Sequence, residues 1–293
     1  SDTTDGSTTF VDSSPSGHAI TSTDVTHEDG ASKFGATGMY FDGSDYLSSA
    51  DSSDWAFGTG DFTIDLWFHP TAFASYAGLI VQNPTSLGSA NSDNGFFLEL
   101  DNTSSKLRLF IRDGSDMFTE INYSGISQYT WYHVAVVRDV SANEITMYVN
   151  GVSAGTSTWA GSESYVDYAT PLVIGLRNDQ TSYFNGYMDE IRISKGVARW
   201  TSDFTPPARP YSTVNDEFFN EYDKIAAKGF ADGTIRVKNN NTVEISKQIA
   251  SDTVQYPLTV QLHEVGNTVN QTAATGVGVM FKLPTNTDYE TLI

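Results

Sequence analysis

Alternation of apolar and polar residues, repeated from segment to segment with no helical period between, is what most restricts this chain. In Asp61-Phe-Thr-Ile-Asp-Leu-Trp-Phe68, the residues Phe62, Ile64, Leu66 and Phe68 alternate with Thr63, Asp65 and Trp67. Successive side chains of a strand point to opposite faces, so this segment is a strand with one wholly apolar face. Phe96, Leu98 and Leu100 repeat the pattern, and Leu107, Leu109 and Ile111 alternate with Lys106, Arg108 and Phe110 as a half-exposed strand. Trp131-Tyr-His-Val-Ala-Val-Val-Arg138 is apolar on both parities, which predicts a central strand covered on both faces. Residues 145–149 follow as a strand and run into Asn150-Gly151, a strong hairpin signal. Gly78-Leu-Ile-Val81 and Leu172-Val-Ile-Gly175 add short strands, and no helical period runs through residues 1–205. Short strands without intervening helices can bury their apolar faces only against another sheet. The fold class is therefore all-β, an antiparallel β-sandwich.

Charge narrows the partners. Lys and Arg number 16 against 36 Asp and Glu, a formal net charge of -20. Such a surface repels a nucleic-acid duplex and an anionic membrane, so neither is expected as a partner, whereas cations are. The absence of cysteine removes disulfides, thiol nucleophiles and thiolate metal sites. No apolar run approaches the ~18 residues that would span a bilayer, so no membrane insertion is expected.

Composition also divides the chain. Residues 1–60 are rich in Ser, Thr, Asp and Gly, but aromatic punctuation argues for short strands joined by turns. Thr205-Pro-Pro-Ala-Arg-Pro210 reads as an extended break. Beyond it Phe218, Phe219, Tyr222 and Ile225 keep helix-compatible spacing over residues 215–228. Strands are then expected at 234–238, 242–247, 258–262 and 277–283. The division expected is a sandwich over 1–207, a Pro-rich linker with a short helix over 208–229, and a β-rich module over 230–293. That last module is too thinly hydrophobic to close a core alone. It is expected to pack on the sandwich or to build a homo-oligomer, a trimer or larger.

Five segments in fixed order carry a family likeness: Phe41-Asp-Gly43, Gly58-Thr-Gly-Asp-Phe-Thr-Ile-Asp-Leu-Trp-Phe68, Trp131 to Arg138, Met147-Tyr-Val-Asn-Gly-Val152 and Phe184-Asn-Gly-Tyr-Met-Asp-Glu-Ile-Arg-Ile-Ser194. Together they resemble the laminin-G-like, concanavalin A-like jelly-roll domains over roughly residues 1–207. Lys195-Gly-Val-Ala-Arg-Trp200 with Asp203-Phe-Thr-Pro-Pro207 resembles copies in phage and viral structural proteins. Pro257-Leu-Thr-Val-Gln-Leu-His263 and Thr272-Ala-Ala-Thr-Gly-Val-Gly-Val-Met-Phe281 resemble stem segments of phage tail fibres. The resemblance implies a jelly-roll sandwich and a non-enzymatic virion-surface component, fibre or capsid, that adheres to a host glycan or receptor. A bacterial or archaeal surface adhesin or filament subunit is the alternative, extracellular or on the cell surface. A glycan-active enzyme or its carbohydrate-binding module is a third reading. Family members usually open with an apolar strand that is missing here, so it lies upstream or comes from another chain.

Candidate sites follow. In related jelly rolls a calcium ion is held by an acidic residue at the start of the closing strand and by the early turn. The resemblance places that structural Ca2+ on Asp189, Asp42 and the Gly43 carbonyl. Asp189 shares the parity of Ile191 and Ile193, and a carboxylate on an apolar face must be metal-bound, paired or hydrogen-bonded. Glu99-Leu-Asp101 is the nearest match to the Glu-x-Asp-x-x-Glu signature of β-glucanases, but Ser104 stands where the last Glu would be. A hydrolase lacking its proton donor does not turn over, so no enzyme is expected. The 5 histidines show no metal spacing, and His133 reads as a core histidine. Trp55, Trp159, Tyr165, Tyr168 and Tyr183 lie in polar contexts and are the candidates for contact with a glycan, a receptor or a neighbouring subunit.

Overall fold

The computed structural model describes residues 4–74, 76–83, 95–101, 105–112, 118–159, 164–165, 168–177 and 181–211, and beyond them four strands of backbone. The chain divides into two compact units, Ser1–Tyr211 and Ser212–Ile293. The first is a two-sheet antiparallel sandwich.

Its strands are β1 (Ile20–Thr23), β2 (Thr26–Asp29), β3 (Thr37–Asp42), β4 (Tyr46–Ser49), β5 (Phe62–Ala72), β6 (Ala77–Gln82) and β7 (Gly95–Asp101). They continue with β8 (Lys106–Arg112), β9 (Phe118–Ser124), β10 (Tyr132–Asp139), β11 (Glu144–Val149), β12 (Val152–Thr158), β13 (Leu172–Ile174) and β14 (Asn185–Lys195). The first sheet runs β1-β4-β13-β6-β7-β8-β9 and the second β12-β11-β10-β5-β14-β3-β2. The turn at Gly43 is a corner that carries the chain from the second sheet into the first. Phe62, Ile64, Leu66 and Phe68 of β5 face Leu98, Leu100, Leu107 and Leu109 of β7 and β8 in one continuous core. Burying each such side chain contributes about 1.5–3 kcal/mol, and this is the term that holds the sheets together.

Asn150 and Gly151 turn β11 into β12 with φ of 50° and 77°. Positive φ at both central residues is the hairpin turn whose twist matches its strands. The chain also supplies backbone partners along β2: the Gly6 N–H donates to His27 O, and the His27 N–H donates to Ser7 O. Phe10 stacks on His27 beside them, at 4.3 Å between ring centroids.

β10 is central, as its two-sided apolar pattern requires. Tyr132, Val134 and Val136 face the core, while Ala135 and Val137 join Tyr148 in a second, smaller cluster on the outer face. That cluster is covered by Ala198, Trp200 and Phe204 from a strap, residues 196–211, that crosses the second sheet. The half-exposed reading of β8 is corrected in one respect: Phe110 is buried, packed with Val81 and Phe97 on the outer face of the first sheet.

The closing strand departs from simple alternation. Asp189 pairs with Trp67 and Arg192 with Asp65, so β14 advances by three residues where β5 advances by two. The extra residue is a bulge, and Glu190 within it takes a φ of 51°. The bulge resets parity: Ile193 lies opposite Ile64 and faces the core, whereas Asp189 and Arg192 both join the outer face. The expected shared face of Asp189, Ile191 and Ile193 is thereby corrected.

In the second unit, β15 (Gly233–Lys238), β16 (Thr242–Lys247), β17 (Asn270–Ala273) and β18 (Val277–Lys282) form an antiparallel sheet in the order β15-β16-β18-β17. The helix expected at 215–228 and the strand expected at 258–262 lie outside the described residues. Among the described residues no helix is long and apolar enough to cross a membrane.

Candidate functional site on the outer face of the second sheet

Outward parity on β5 sets out Thr63, Asp65, Trp67 and His69 in a row along the strand. Neighbouring strands bring His133, Asp189, Arg192, Tyr187 and Tyr40 beside them. Three zones follow along this face, and each is treated differently by the rest of the chain.

The first zone is a buried charge network under the strap. Asp65 is fully buried and takes Arg192 Nε at 3.0 Å and Nη2 at 2.9 Å, a two-pronged pairing. The Tyr211 hydroxyl donates to the same carboxylate, and its oxygen lies 3.1 Å from His133 Nε2. Burial pushes the Asp65 carboxyl up, but His133 and the Arg192 guanidinium outweigh it and hold the group below its ordinary value. Burial, and then the Asp65 charge, push the Tyr211 phenol well above its ordinary value, so it stays a donor. Trp200 and Phe204 stack at 4.0 Å over this zone and meet His133 edge-on. Its Asp65 and His133 centre is closed to solvent, and the network works as a fastening for the strap.

The second zone is Asp189. Its Oδ2 accepts the backbone N–H groups of Lys33 at 2.8 Å and Phe34 at 2.9 Å, and its Oδ1 accepts the Glu190 N–H at 2.9 Å. These bonds pin the loop between β2 and β3, whose Lys33 ammonium sits 4.1 Å from the Trp67 ring centre. Asp42 pairs with Asn185, four residues from Asp189 along β14. At the rise of a strand their backbone positions are roughly 13 Å apart. Both Asp189 oxygens are already taken by the three N–H groups, none of which is in the turn of Asp42. Asp42 Oδ1 instead accepts the Ser44 N–H and hydroxyl, at 2.8 and 2.6 Å, in the turn that contains Gly43. Among the described residues no group of three or more His, Asp or Glu could hold a metal ion. The residues present therefore do not fit the calcium site that Asp189, Asp42 and Gly43 were expected to form.

The third zone is open. Tyr40 of β3, Tyr187 of β14, His69 of β5 and Trp131 at the entrance of β10 form a row with centroid spacings of 5.3, 5.6 and 5.3 Å. All four are half-buried. Tyr129 extends the row, 6.4 Å from His69 and 71 % exposed.

The five aromatic residues expected to meet a ligand behave differently. Trp55, Trp159, Tyr165 and Tyr168 are buried, at 6, 1, 2 and 8 % exposure, and belong to the main core. Trp159 packs edge-on to Phe62 and beneath Arg138, and Tyr165 donates to Gln82 Oε1 at 3.1 Å. The reading of these four as ligand contacts is corrected: a loop crossing the open end of a sandwich tucks its large ring into the gap, and its polar neighbours conceal this in the sequence. Tyr183 alone is half-buried, on a bridge to Leu176, and stands apart from the aromatic row. The row itself was missed, and Trp131 was placed only in a central strand covered on both faces. Its signal was parity: Tyr40, His69 and Tyr187 each alternate with residues of the core.

Glu99 and Asp101 lie on the outer face of the first sheet. Glu99 is fully buried; its Oε1 accepts the Arg108 guanidinium, and its Oε2 lies 3.5 Å from Arg177 Nε. Burial pushes its carboxyl up against the pull of both arginines. Asp101 is 9 % exposed. Neither carboxylate faces solvent as a hydrolase's pair must.

A two-sheet antiparallel sandwich with a pinned closing strand and an open aromatic row has the form of a lectin-like binding domain. Residues 41–201, just over half of the chain, match the family described as the concanavalin A-like lectin/glucanases superfamily, and the chain belongs to it. Among curated proteins, none matches the chain in sequence. The binding domain of Paraclostridial mosquitocidal protein 1 shares its fold, with a TM-score of 0.51 at 14% identity, covering 98% of this chain and 72% of that one. Domain 4 of the extracellular arabinanase AbnA from Geobacillus stearothermophilus gives 0.49 at 18% identity over 61% and 82% of the two chains. The LG4-5 domains of the mouse laminin α1 chain give 0.40 at 19% identity over 54% and 40%.

Proposed function

We propose that the first unit is a non-catalytic adhesion module that binds a glycan or a glycan-bearing receptor. The observation that carries this reading is the row of half-buried aromatic rings that crosses the outer face of the second sheet. Pyranose rings present C–H faces that stack on aromatic side chains. Exposed aromatic rows of this kind mark recognition surfaces rather than cores. Glu99, the buried carboxylate of the nearest hydrolase match, is spent on Arg108 and Arg177, which supports binding without turnover. That the mosquitocidal relative is itself a binding domain agrees with this.

The setting proposed is a virion surface, as a fibre or capsid component, on the likeness of residues 195–207 to viral structural proteins. A cell-surface adhesin, or the binding module of a glycan-active enzyme, would use the same face. The second unit is proposed to assemble copies of the chain. A glycan array probed with the full chain, together with a reducing-sugar release assay on each glycan bound, tests the reading. Binding without release supports it; release of sugar overturns the non-catalytic assignment, and a blank array overturns the adhesion reading.

A further inference from the structure

The direction and charge of the aromatic row say more about its ligand. Tyr40 pairs with Tyr187 across one ladder and Tyr187 with His69 across the next, while Trp131 immediately precedes the Tyr132–Phe68 pair. The row therefore contributes one ring per strand and crosses the strands at right angles, over about 14 Å for three strand spacings. A ligand aligned with the strands would meet one ring. A ligand lying across them meets all four, each about one strand spacing from the next. The rings are tilted to one another by 35°, 50° and 50°, so neighbours do not stack face to face.

Charge sorts the ligands. Glu28 lies on β2 beside the row and Asp42 and Asp45 at its corner, and all three act electrostatically on the Tyr40 phenol. Glu28 acts on Tyr187 as well. Of the nearby cations, Lys33 is placed over Trp67, two residues from His69, and Arg192 is held by Asp65. With a net charge of -20 behind it, the row presents a negative field to an approaching ligand.

Tyr129 is the third observation. It holds a left-handed φ of 58°, anchored by its N–H to Pro70 O at 2.8 Å, while its ring is 71 % exposed. A bulky residue in that conformation is strained, and glycine would occupy it freely. An exposed ring held at local cost points to recognition rather than folding.

We infer that Tyr129, Trp131, His69, Tyr187 and Tyr40 form a platform for an uncharged oligosaccharide chain lying across the strands, and not for an acidic glycan. The inference rests on the adhesion reading and specifies its ligand class and site. Native-gel retardation of the full chain tests it, with xyloglucan, galactomannan and β-1,3-glucan as neutral probes and polygalacturonate and polysialic acid as anionic ones. Retardation by at least one neutral polymer and by neither anionic one is expected. Titration of oligosaccharides from the retarding polymer should show Tyr187→Ala weakening binding by about tenfold or more. Tyr129→Gly should weaken binding while leaving the thermal midpoint unchanged or raised, which separates loss of the ring from loss of the fold. Retardation by anionic polymers alone would overturn the ligand class and leave the adhesion reading standing. Neutral binding untouched by both variants would place the site elsewhere and overturn the platform. A gel with no retardation in any lane, with the row buried by self-association of the chain, would remove both readings.

Discussion

Asp65 concentrates the physics of the first unit into one side chain. It is wholly buried, and removing it would take from the Arg192 guanidinium and His133 the carboxylate that they share. Breaking a buried pair in this way costs about 3–5 kcal/mol, far more than the intact pair contributes over an apolar replacement. Asp65→Ala should lower the denaturant midpoint accordingly, and Tyr211→Phe by about 1.5–3 kcal/mol, the worth of a hydrogen bond to a charge. The folded state holds the Asp65 carboxyl below its ordinary value, so the unfolded state takes up its proton first. Stability from this group is full above the ordinary carboxylate value and drains away as pH falls through the depressed folded one. Unfolding titrations from neutral pH into acid should show that loss, and Asp65→Asn should flatten it. An acid limb as steep in the variant as in the parent would assign the loss to other carboxylates. At Asp189 the sequence raised the need for partners from a shared parity with Ile191 and Ile193 that the bulge breaks, so the expectation rested on the wrong face. It could not show that the partners are the backbone N–H groups of Lys33 and Phe34, which arrive from a loop about 155 residues earlier.

Elements were more legible than their exact pairing. The alternation in β5, β7 and β8 and the Asn-Gly turn gave the sandwich, since each follows from local chemistry. The bulge in β14 stayed hidden, because a one-residue shift is a property of the ladder formed with β5 and Glu190 carries no turn-residue signature. Both-sided burial of β10 was visible as a pattern, but not the strap that provides it. The polar loop aromatics misled for the converse reason, since tertiary packing overrode local context. The strap in turn depends on the hairpin at residues 150–151. Its Phe204 N–H donates to Gly151 O at 2.8 Å, and a Cβ on Gly151 would fall 1.9 Å from the Phe204 carbonyl oxygen. Gly151→Ala would meet that oxygen and also force alanine into a φ of 77°. It should cost more than about 1 kcal/mol and loosen the strap. Loosening should be read as a red-shifted tryptophan emission, since Trp200 lies in the strap. An unchanged spectrum together with a lowered midpoint would confine the effect to the turn.

At the scale of the molecule, the boundary between units falls at Tyr211, four residues beyond the expected end of the sandwich at Pro207. Those residues are not spacer, because Tyr211 closes the Asp65 network and its N–H is taken by the Glu190 carboxylate. A fragment ending at residue 211 should therefore unfold cooperatively, and one ending at residue 207 should lose a few kcal/mol, the sum of those charge-assisted bonds. The same fragments separate adhesion from assembly. A single aromatic platform exposed to solvent gains little from each ring, so a lone sandwich should hold a soluble oligosaccharide weakly. If the second unit assembles copies, the full chain presents several platforms at once, and on a glycan-coated surface its apparent affinity should exceed that of fragment 1–211 by about 100-fold or more. For a soluble oligosaccharide the two should agree within a factor of about three, because one platform meets one ligand in either case. Surface plasmon resonance on a glycan-coated chip, paired with titration in solution and native mass of the full chain, reads all three quantities. A monomeric full chain with no surface advantage would end the assembly role proposed for the second unit while leaving the platform intact. An advantage that persisted in solution would place residues 212–293 in the binding site itself.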